Sequence, residues 1–216
     1  MKPLTQCRLY TFVDTSYLHG RKPEEVAEQL CDGGSDLLQL RAKSASLEDI
    51  RQMAQKILPI TSRAGVNFAV NDYPEIALAI GAPFCHLGQE DFFGRGHSEV
   101  GQLLPPGNRL RIGLSSHAPT EAAKAVTAGA AYIAAGPIFA TGTKPTATPV
   151  TLDYARWAAR YVNIPWFAIG GINLENLDTV LEAGARRICV VSAILTAPDV
   201  AKACQKFKDR LTSAPL

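Results

Sequence analysis

The chain has 216 residues, of which 47% are hydrophobic and 19% are charged, a balance typical of a globular domain with an apolar core. Its formal net charge is 22 − 20 = +2, so no basic field argues for nucleic acid as a partner. The longest apolar runs, 164–169 and 188–195, fall far short of the ~20 residues that cross a bilayer, and the N-terminal segment lacks the apolar core of a signal peptide. We therefore expect a cytoplasmic protein that contacts no membrane.

The cysteines are odd in number and never follow a CxxC spacing, which argues against both a disulfide framework and a zinc site. We expect all five to be reduced and most of them to be buried. They are Cys7, Cys31, Cys85, Cys189 and Cys204.

Short runs that favour β-strands alternate with helix-like segments along the whole chain. The predicted strands are 8–13, 36–41, 67–71, 84–87, 109–114, 131–135, 165–169 and 187–192. The predicted helices are 23–32, 47–63, 74–80, 97–103, 119–128, 151–161, 173–182 and 197–210, with start signals such as Ser46 and Asn173. Eight strand–helix units predict an α/β fold of the (β/α)8 barrel type, a TIM barrel formed by a single domain over residues 1–216. A doubly wound open sheet is the alternative, but no GxGxxG follows the first strand.

Active sites of such barrels lie at the carboxyl ends of the strands, so polar residues at these positions are the first candidates. In the second strand, Gln39, Arg41 and Lys43 alternate with leucine and alanine and therefore share one face. If the leucine face packs on the helices, the amide and both cations point into the barrel mouth. The alternative is that Arg41 and Lys43 are solvated at a strand end.

Two carboxylates follow the third and fourth strands, which are neighbours in a barrel. Asp72 and Asp91 suit a hard cation such as Mg²⁺, held jointly with phosphate oxygens, because no His or Cys lies at metal-ligand spacing. Each aspartate taken alone is better explained as a helix cap. His86, inside the fourth strand, is interpreted as a hydrogen-bonded core histidine.

The fifth strand ends at Ser115, which we interpret as a ligand contact because no hydrolase triad or nucleophile elbow accompanies it. His117 follows in the next loop. It could take part in catalysis, but we favour a role as a cap of the following helix.

Two glycine- and hydroxyl-rich segments indicate anion binding. Thr141, Gly142, Thr143 and Lys144 place two hydroxyls, a glycine and an ammonium group in four consecutive residues, although a plain surface loop would read similarly. The loops after strands 7 and 8 commonly form a phosphate site in this fold, and Gly171 and Ser192 lie there. The alternative for Gly171 is a tight turn between strand and helix.

These motifs in order resemble the thiamine-phosphate synthase family over nearly the whole chain. The stretches that carry the resemblance are Gln39-x-Arg41-x-Lys43, Asn71-Asp72, HLGQED at 86–91, Gly113-Leu114-Ser115, GPIFxTxTK at 136–144, IGGI at 169–172 and Val191-Ser192. The resemblance implies a barrel enzyme that joins a hydroxymethylpyrimidine diphosphate to a thiazole phosphate and releases pyrophosphate with Mg²⁺. Its partners would be small phosphorylated molecules, and the sequence leaves a homo-oligomer open.

The resemblance also implies roles for individual residues. The pyrimidine diphosphate would be held by Gln39, Leu40, Arg41, Ala42, Lys43, Asn71, Ser115 and Lys144. Of these, Arg41, Lys43, Ser115 and Lys144 would be catalytic. Asp72 and Asp91 would bind Mg²⁺. The thiazole phosphate would contact Thr141, Gly142, Thr143, Gly171, Val191 and Ser192.

One departure and two rivals accompany the resemblance. Ala140 stands where proline is usual, a change that would affect closure of a loop more than the chemistry. A thiazole tautomerase of the TenI type shares the barrel and phosphate site, but tends to lack the aspartates and lysines present here. A non-catalytic binder of phosphate ligands is the second rival.

Overall fold

In the computed structural model, which describes residues 1–143 and 148–213, eight strands close into a parallel barrel. Strands β1 to β8 are Leu9–Asp14, Leu37–Arg41, Asn67–Asn71, Phe84–Leu87, Arg111–Ser116, Tyr132–Ala135, Trp166–Ala168 and Ile188–Val190. Helices α1 to α9 are Pro23–Asp32, Leu47–Arg63, Pro74–Ile80, Gln89–Phe92, Pro119–Thr127, Thr151–Tyr161, Leu177–Glu182, Ser192–Leu195 and Val200–Ser213. Each strand pairs with the next in chain order, and β8 pairs with β1. The predicted (β/α)8 barrel is confirmed.

The alternation of side chains along each strand separates two apolar layers. In β2, Leu38 and Leu40 belong to the large cluster between barrel and helices, whereas Leu37 belongs to the cluster inside the barrel. The inner cluster is rich in aromatic rings, namely Tyr10, Phe12, Phe84, Tyr132 and Phe167. Because these rings fill the barrel, the space left for a ligand lies above them, at the carboxyl ends of the strands.

Two predicted helices differ from the observed ones near β4 and β7. Residues 97–103 contain a 3₁₀ turn at Val100–Leu103 instead of an α-helix, because the Gln102 side chain accepts the N–H groups of Ser98 (2.8 Å) and Glu99 (3.2 Å). Similarly, Asn173 Oδ1 accepts the N–H groups of residues 175 and 176, which delays the start of α7 to Leu177. No described helix combines the length and apolar character that a membrane span requires.

The last predicted strand and helix also have different bounds. Strand 187–192 is shorter than predicted, since β8 ends at Val190 and the short helix α8 begins at Ser192. The final helix α9 then runs from Val200 to Ser213 instead of from 197 to 210. The phosphate-site candidates after β8 therefore lie at the start of an additional helical turn.

All five cysteines are free thiols, and four of them are buried, as predicted. Burial raises the pKa of Cys7 to about 11 and that of Cys204 to about 12. These thiols therefore stay protonated at neutral pH and are poorly suited to act as nucleophiles.

The end of the barrel opposite the strand carboxyl ends is closed around the buried carboxylate of Asp36. Lys2 (2.5 Å) and Lys208 (2.6 Å) donate to it, as do the main-chain N–H groups of Arg8 (2.8 Å) and Leu9 (3.0 Å). Burial alone would raise the pKa of Asp36, but these hydrogen bonds outweigh it and hold the pKa below the usual 3.8.

Replacing Asp36 by asparagine is expected to lower the free energy of unfolding by about 2 kcal/mol at pH 7, because two ammonium groups lose a buried partner. The folded-state pKa is depressed, so this stabilisation is complete above pH ~4 and is lost as the pH falls through the folded-state value. Urea denaturation at pH 7, 4 and 3 would show the gap between wild type and variant closing in acid. Asp178→Asn is the control, since its pair with Arg210 is exposed. Equal losses in both variants would contradict the prediction.

Candidate active site

A cavity of about 980 Å³, including its part that opens to solvent, lies at the carboxyl ends of the strands. Most of the predicted site residues line it together. They are Gln39, Arg41, Lys43, Asn71, Asp72, Asp91, Ser115, Thr141, Thr143, Gly171, Val191 and Ser192. The structure therefore brings together residues that are up to 153 positions apart, since 192 − 39 = 153.

Strand β2 supplies one wall of this cavity. Gln39 is buried in the barrel, Arg41 lies above it at the strand end, and Lys43 lies at the exposed rim. The side chains of Leu40 and Ala42, in contrast, are buried in the outer cluster among the helices and face away from the cavity. Alternation along the strand turns both side chains outward and leaves only their main chain available to a ligand. Their contact with the diphosphate stays a prediction, one that the main chain would have to make.

Both cations of β2 have carboxylate partners. Arg41 Nη1 lies 2.7 Å from Asp14 Oδ2, and the Asp14 side chain is 1% exposed. Asp14 also accepts the N–H group of Ser16 at 3.0 Å, which fixes the carboxylate at the end of β1. A buried partner on one side holds the guanidinium in place, and Asp14 Oδ2 engages only its Nη1, so other N–H groups can be directed into the cavity.

The second ion pair joins a predicted diphosphate ligand to a predicted metal ligand. Lys43 Nζ lies 2.9 Å from Asp72 Oδ2. Asp72 adopts a left-handed conformation, with φ of 67°, and its N–H group donates to the carbonyl of His86 at 2.9 Å. That hydrogen bond continues the pairing of β3 with β4 and holds the carboxylate over the cavity.

Asp91 occupies the first turn of α4 on the other side of the same rim. Its carboxylate folds back over Gly88, where a Cβ atom would lie 3.0 Å from Asp91 Oδ2. Arg95 Nη2 lies 3.5 Å from Asp91 Oδ1, and the Arg95 side chain is mostly exposed. Among the residues the structure describes, no three His, Cys, Asp or Glu side chains converge as metal ligands, so a cation here would have two protein carboxylates at most.

Strands β4 and β5 are joined by polar contacts at the cavity floor. His86 is 7% exposed, and its Nε2 lies 3.1 Å from Ser115 Oγ, as expected for a hydrogen-bonded core histidine. Gln89 Nε2 donates to the carbonyl of Ser115 at 2.5 Å. Ser115 is thus held from two sides, with its hydroxyl facing the cavity.

His117 does not cap α5, contrary to the prediction. The N-cap of that helix is Ala118, which makes no side-chain capping bond. The His117 ring instead contacts the carbonyl oxygen of Gly136 through Nδ1, while the His117 N–H group donates to Glu121 Oε2 at 2.7 Å. Residue 117 therefore belongs to the cavity wall, because its ring turns towards β6 and away from the helix.

The loops after β6 and β7 form the opposite wall and are packed backbone against backbone. Phe139 N–H donates to the Gly170 carbonyl at 3.1 Å. A Cβ atom at Gly171, whose φ is 64°, would lie 2.5 Å from the carbonyl oxygen of Ala140. Gly171 is therefore required by two features: its positive φ, which the alternative of a tight turn implies, and the close approach of the β6 loop, which that alternative does not include.

The hydroxyl-rich segment lies above these glycines. Thr141 and Thr143 line the cavity, and Thr143 Oγ1 is bonded at 3.1 Å to Tyr17 Oη from the loop after β1. Gly142, between them, is exposed and is not among the described residues that line the cavity. Lys144, the predicted ammonium donor of this segment, lies outside the described residues.

Three residues that shape the site are not singled out by the sequence pattern: two line the cavity and one, Asp14, anchors Arg41. Tyr10 and Phe12 line the cavity floor, yet β1 is buried on both faces, so no apolar–polar alternation marks them. Asp14 follows the first predicted strand as Asp72 follows the third, and this position could have drawn attention to it. Its role could not be predicted, because the pairing of Asp14 with Arg41 depends on the register of β1 and β2.

Comparison with known proteins agrees with this architecture. A family profile described as thiamine monophosphate synthase matches residues 9–194. The chain belongs to the thiamine monophosphate synthase family. The resemblance inferred from the motifs is thereby confirmed.

Relatives in the thiamine monophosphate synthase family match nearly end to end. A thiamine-phosphate synthase from Thermus thermophilus is 42% identical over 190 residues, covering 85% of this chain and 86% of the relative. One from Shouchella clausii is 40% identical over 206 residues, or 95% of each chain. The solved thiamine phosphate pyrophosphorylase of Pyrococcus furiosus is 28% identical and superposes with a TM-score of 0.86 over 99% of each chain.

Proposed function

We propose that the protein synthesises thiamine phosphate from 4-amino-2-methyl-5-(diphosphooxymethyl)pyrimidine and 4-methyl-5-(2-phosphooxyethyl)thiazole, releasing pyrophosphate. The observation that carries this proposal is a single cavity with two chemically different walls. One wall presents Arg41, which is anchored by a buried aspartate, together with Lys43 and two carboxylates. The other wall presents glycines and hydroxyls. A diphosphate and a monophosphate ligand would meet between them.

The pyrimidine diphosphate would occupy the wall formed by β2 to β5. Arg41 and Lys43 would neutralise the diphosphate, with Lys144 as a third cation, while Gln39, Asn71 and Ser115 would bind the ring and its linkage. Arg41, held by Asp14, would donate through N–H groups that Asp14 leaves free. Lys43 would exchange part of its contact with Asp72 for a phosphate oxygen.

The residues present fit a Mg²⁺ ion held by Asp72 and Asp91 with diphosphate oxygens. Mg²⁺ characteristically takes one or two carboxylates and completes its shell with water and phosphate oxygens, which matches the two aspartates at this rim. When bound, the ion would neutralise charge that develops on the departing pyrophosphate. Lys43, already paired with Asp72, would hold that carboxylate in place.

The thiazole phosphate would occupy the wall formed by the loops after β6, β7 and β8. Thr141, Gly142 and Thr143 would donate from one side, and Gly171, Val191 and Ser192 from the other. The packing of the β6 loop on Gly170 and Gly171 supports this arrangement, because it fixes the spacing between the two sets of donors.

The reaction requires no protein nucleophile. The bond between the pyrimidine methylene carbon and the diphosphate oxygen breaks, its electron pair leaves with pyrophosphate, and the 4-amino group stabilises the resulting cation. The thiazole nitrogen then donates its lone pair to the methylene carbon. Arg41, Lys43 and Lys144 would stabilise the leaving group, and the floor around Ser115 would hold the two rings in line.

A TenI-type tautomerase or a non-catalytic binder would need the phosphate wall alone. The paired Arg41–Asp14 and Lys43–Asp72 groups favour the synthase, since neither rival has use for a diphosphate site. Pyrophosphate release on mixing the purified protein with both substrates tests the proposal. Release that requires both substrates and Mg²⁺, and stops with EDTA, is expected. Absence of release with normal thiazole phosphate binding would contradict the proposal and favour the rivals.

Gly171→Val is expected to raise KM for the thiazole phosphate by about tenfold or more, with less than about threefold change for the pyrimidine diphosphate. The added side chain would displace the loop that carries Thr141 and Thr143. Steady-state kinetics with each substrate varied in turn would measure both constants.

Gly65→Val is the matched control for this variant. Gly65 has nearly the same φ, 69°, but nothing lies within 4 Å of its added Cβ, and it is at the other end of the barrel. It should lose stability through the same backbone strain and keep both KM values. Equal increases in both KM values for Gly171→Val would indicate general damage to the barrel.

A further inference from the structure

Tyr132 lies inside the barrel, in the inner apolar cluster beneath the cavity. Its side chain is fully buried, with edge contacts to the rings of Phe84 (6.0 Å) and Phe167 (5.7 Å). Gly113 on the neighbouring strand accommodates the ring, since a Cβ there would lie 2.1 Å from Tyr132 Cζ. This explains the glycine of the Gly113-Leu114-Ser115 motif, which no contact with substrate requires.

The hydroxyl of Tyr132 begins a chain of hydrogen bonds that reaches Gln39. It lies 2.9 Å from the hydroxyl of Tyr10, which in turn accepts a hydrogen bond from Gln39 Nε2. Burial raises the pKa of both phenols well above the usual value, so both remain protonated at neutral pH. The amide nitrogen of Gln39 is thus engaged within the barrel, and its oxygen is the atom left for a ligand.

The ring of Tyr132 packs against His86, and through it supports Ser115. His86 stacks on it, with centroids 5.6 Å apart and planes inclined by 24°. The same imidazole is bonded to Ser115 Oγ at 3.1 Å. Two of the three proposed contacts to the pyrimidine, Gln39 and Ser115, are therefore supported by one tyrosine, Gln39 through Tyr10 and Ser115 through His86.

We propose that Tyr132 is a positioning residue that sets the orientation of the Gln39 amide through Tyr10 and supports Ser115 through His86. The proposal rests on the proposed function. With Gln39 Oε1 as an acceptor, the floor would favour a ring that presents an amino group and disfavour one that presents a carbonyl. Tyr10 has one hydroxyl proton, so while it donates that proton to Tyr132 it can only accept from Gln39. Without the Tyr132 hydroxyl, Tyr10 can donate to Gln39 Oε1 instead and the amide can turn, which removes that selectivity.

The test compares binding of the 4-amino pyrimidine diphosphate with binding of its 4-oxo analogue by calorimetry, in the presence of Mg²⁺. Wild type is expected to favour the amino compound. Tyr132→Phe, which keeps the ring and the contact with His86, should weaken amino binding roughly tenfold and reduce the preference at least as much, as expected for one buried hydrogen bond. The dissociation constant of thiazole phosphate should change less than about twofold.

Two further variants separate positioning from stability. Tyr10→Phe breaks the same chain at the next link and should lose the same preference, which keeps the proposal testable if Tyr132→Phe folds poorly. Thr61→Val removes a buried hydroxyl from α2, bonded to the Leu58 carbonyl at 3.0 Å, and should lower the melting temperature with selectivity intact.

Three outcomes would overturn the proposal. An unchanged preference in Tyr132→Phe or Tyr10→Phe would show that the hydroxyls do not orient the amide. A wild-type preference for the oxo analogue would show the opposite orientation. Failure of wild type to bind the pyrimidine diphosphate or to release pyrophosphate would overturn the proposed function together with the role of Tyr132, and so is distinct from the other two.

Discussion

Replacing Asp91 by asparagine is expected to lower Mg²⁺-dependent pyrophosphate release about a thousandfold, or about 4 kcal/mol of transition-state stabilisation. The substitution keeps the shape of the side chain and removes one of two carboxylates at the rim of the cavity. Asp72 is already engaged by Lys43, so it cannot replace the lost charge alone. Initial rates over a range of Mg²⁺ concentrations would show a lower maximum and a higher requirement for the ion.

Thiazole phosphate binding should be nearly unchanged in Asp91→Asn, because its predicted contacts lie on the opposite wall. Asp153→Asn is the matched control: it also removes a carboxylate from a short helical ion pair, with Arg156 at 2.7 Å, but on exposed α6. A fully active Asp91→Asn enzyme with an unaltered Mg²⁺ requirement would exclude Asp91 as a metal ligand.

Arg41→Lys is expected to reduce kcat/KM for the pyrimidine diphosphate about a hundredfold. The guanidinium of Arg41 can keep its bond to Asp14 and still donate to phosphate through its other N–H groups. The shorter lysine side chain has one ammonium group, which would have to contact both anions at once. Because the variant keeps the positive charge, a lower kcat/KM would reflect the lost geometry of the guanidinium contacts. The decrease should fall on both kcat and the affinity for the diphosphate, which single-turnover measurements would separate.

Arg156→Lys provides the control for this substitution. It makes the same chemical change in an Arg–Asp pair of the same 2.7 Å length, exposed on α6, and should leave both kinetic constants unchanged. Asp14→Asn should reproduce part of the Arg41→Lys effect, because the guanidinium then loses its buried anchor. If Arg41→Lys were as active as Arg156→Lys, Arg41 would not contact the diphosphate during the reaction.

The barrel was predictable from the sequence because its signal is repeated eight times. Alternating strands and helices with regular spacing leave few other topologies, and the strand bounds in the structure differ by one or two residues in most cases. Two of the errors, in helices 97–103 and 173–182, occurred where side chains compete with the main chain for hydrogen bonds. Gln102 and Asn173 each satisfy two N–H groups locally, which no periodic pattern records.

The residues at the strand ends were predictable for the same reason, since parallel strands bring their carboxyl ends together. The contacts that these residues make with side chains of other strands could not be predicted. The pairing of Arg41 with Asp14 and the stack of His86 on Tyr132 depend on register and on rotamers that the sequence does not encode locally. The role of Gly171 illustrates the point: positive φ was foreseeable from a tight turn, whereas contact with Ala140 required the position of another loop.

The two ion pairs of Asp36 bring the first residues of the chain close to its last helix, because Lys2 and Lys208 of α9 contact the same carboxylate. A short linker could therefore join the ends in a circular permutant without crossing the face that holds the cavity. The turn at Ala64–Gly65, at the same end of the barrel and open around Gly65, is a suitable place for the new termini. Such a rearrangement would leave the order of βα units around the ring unchanged.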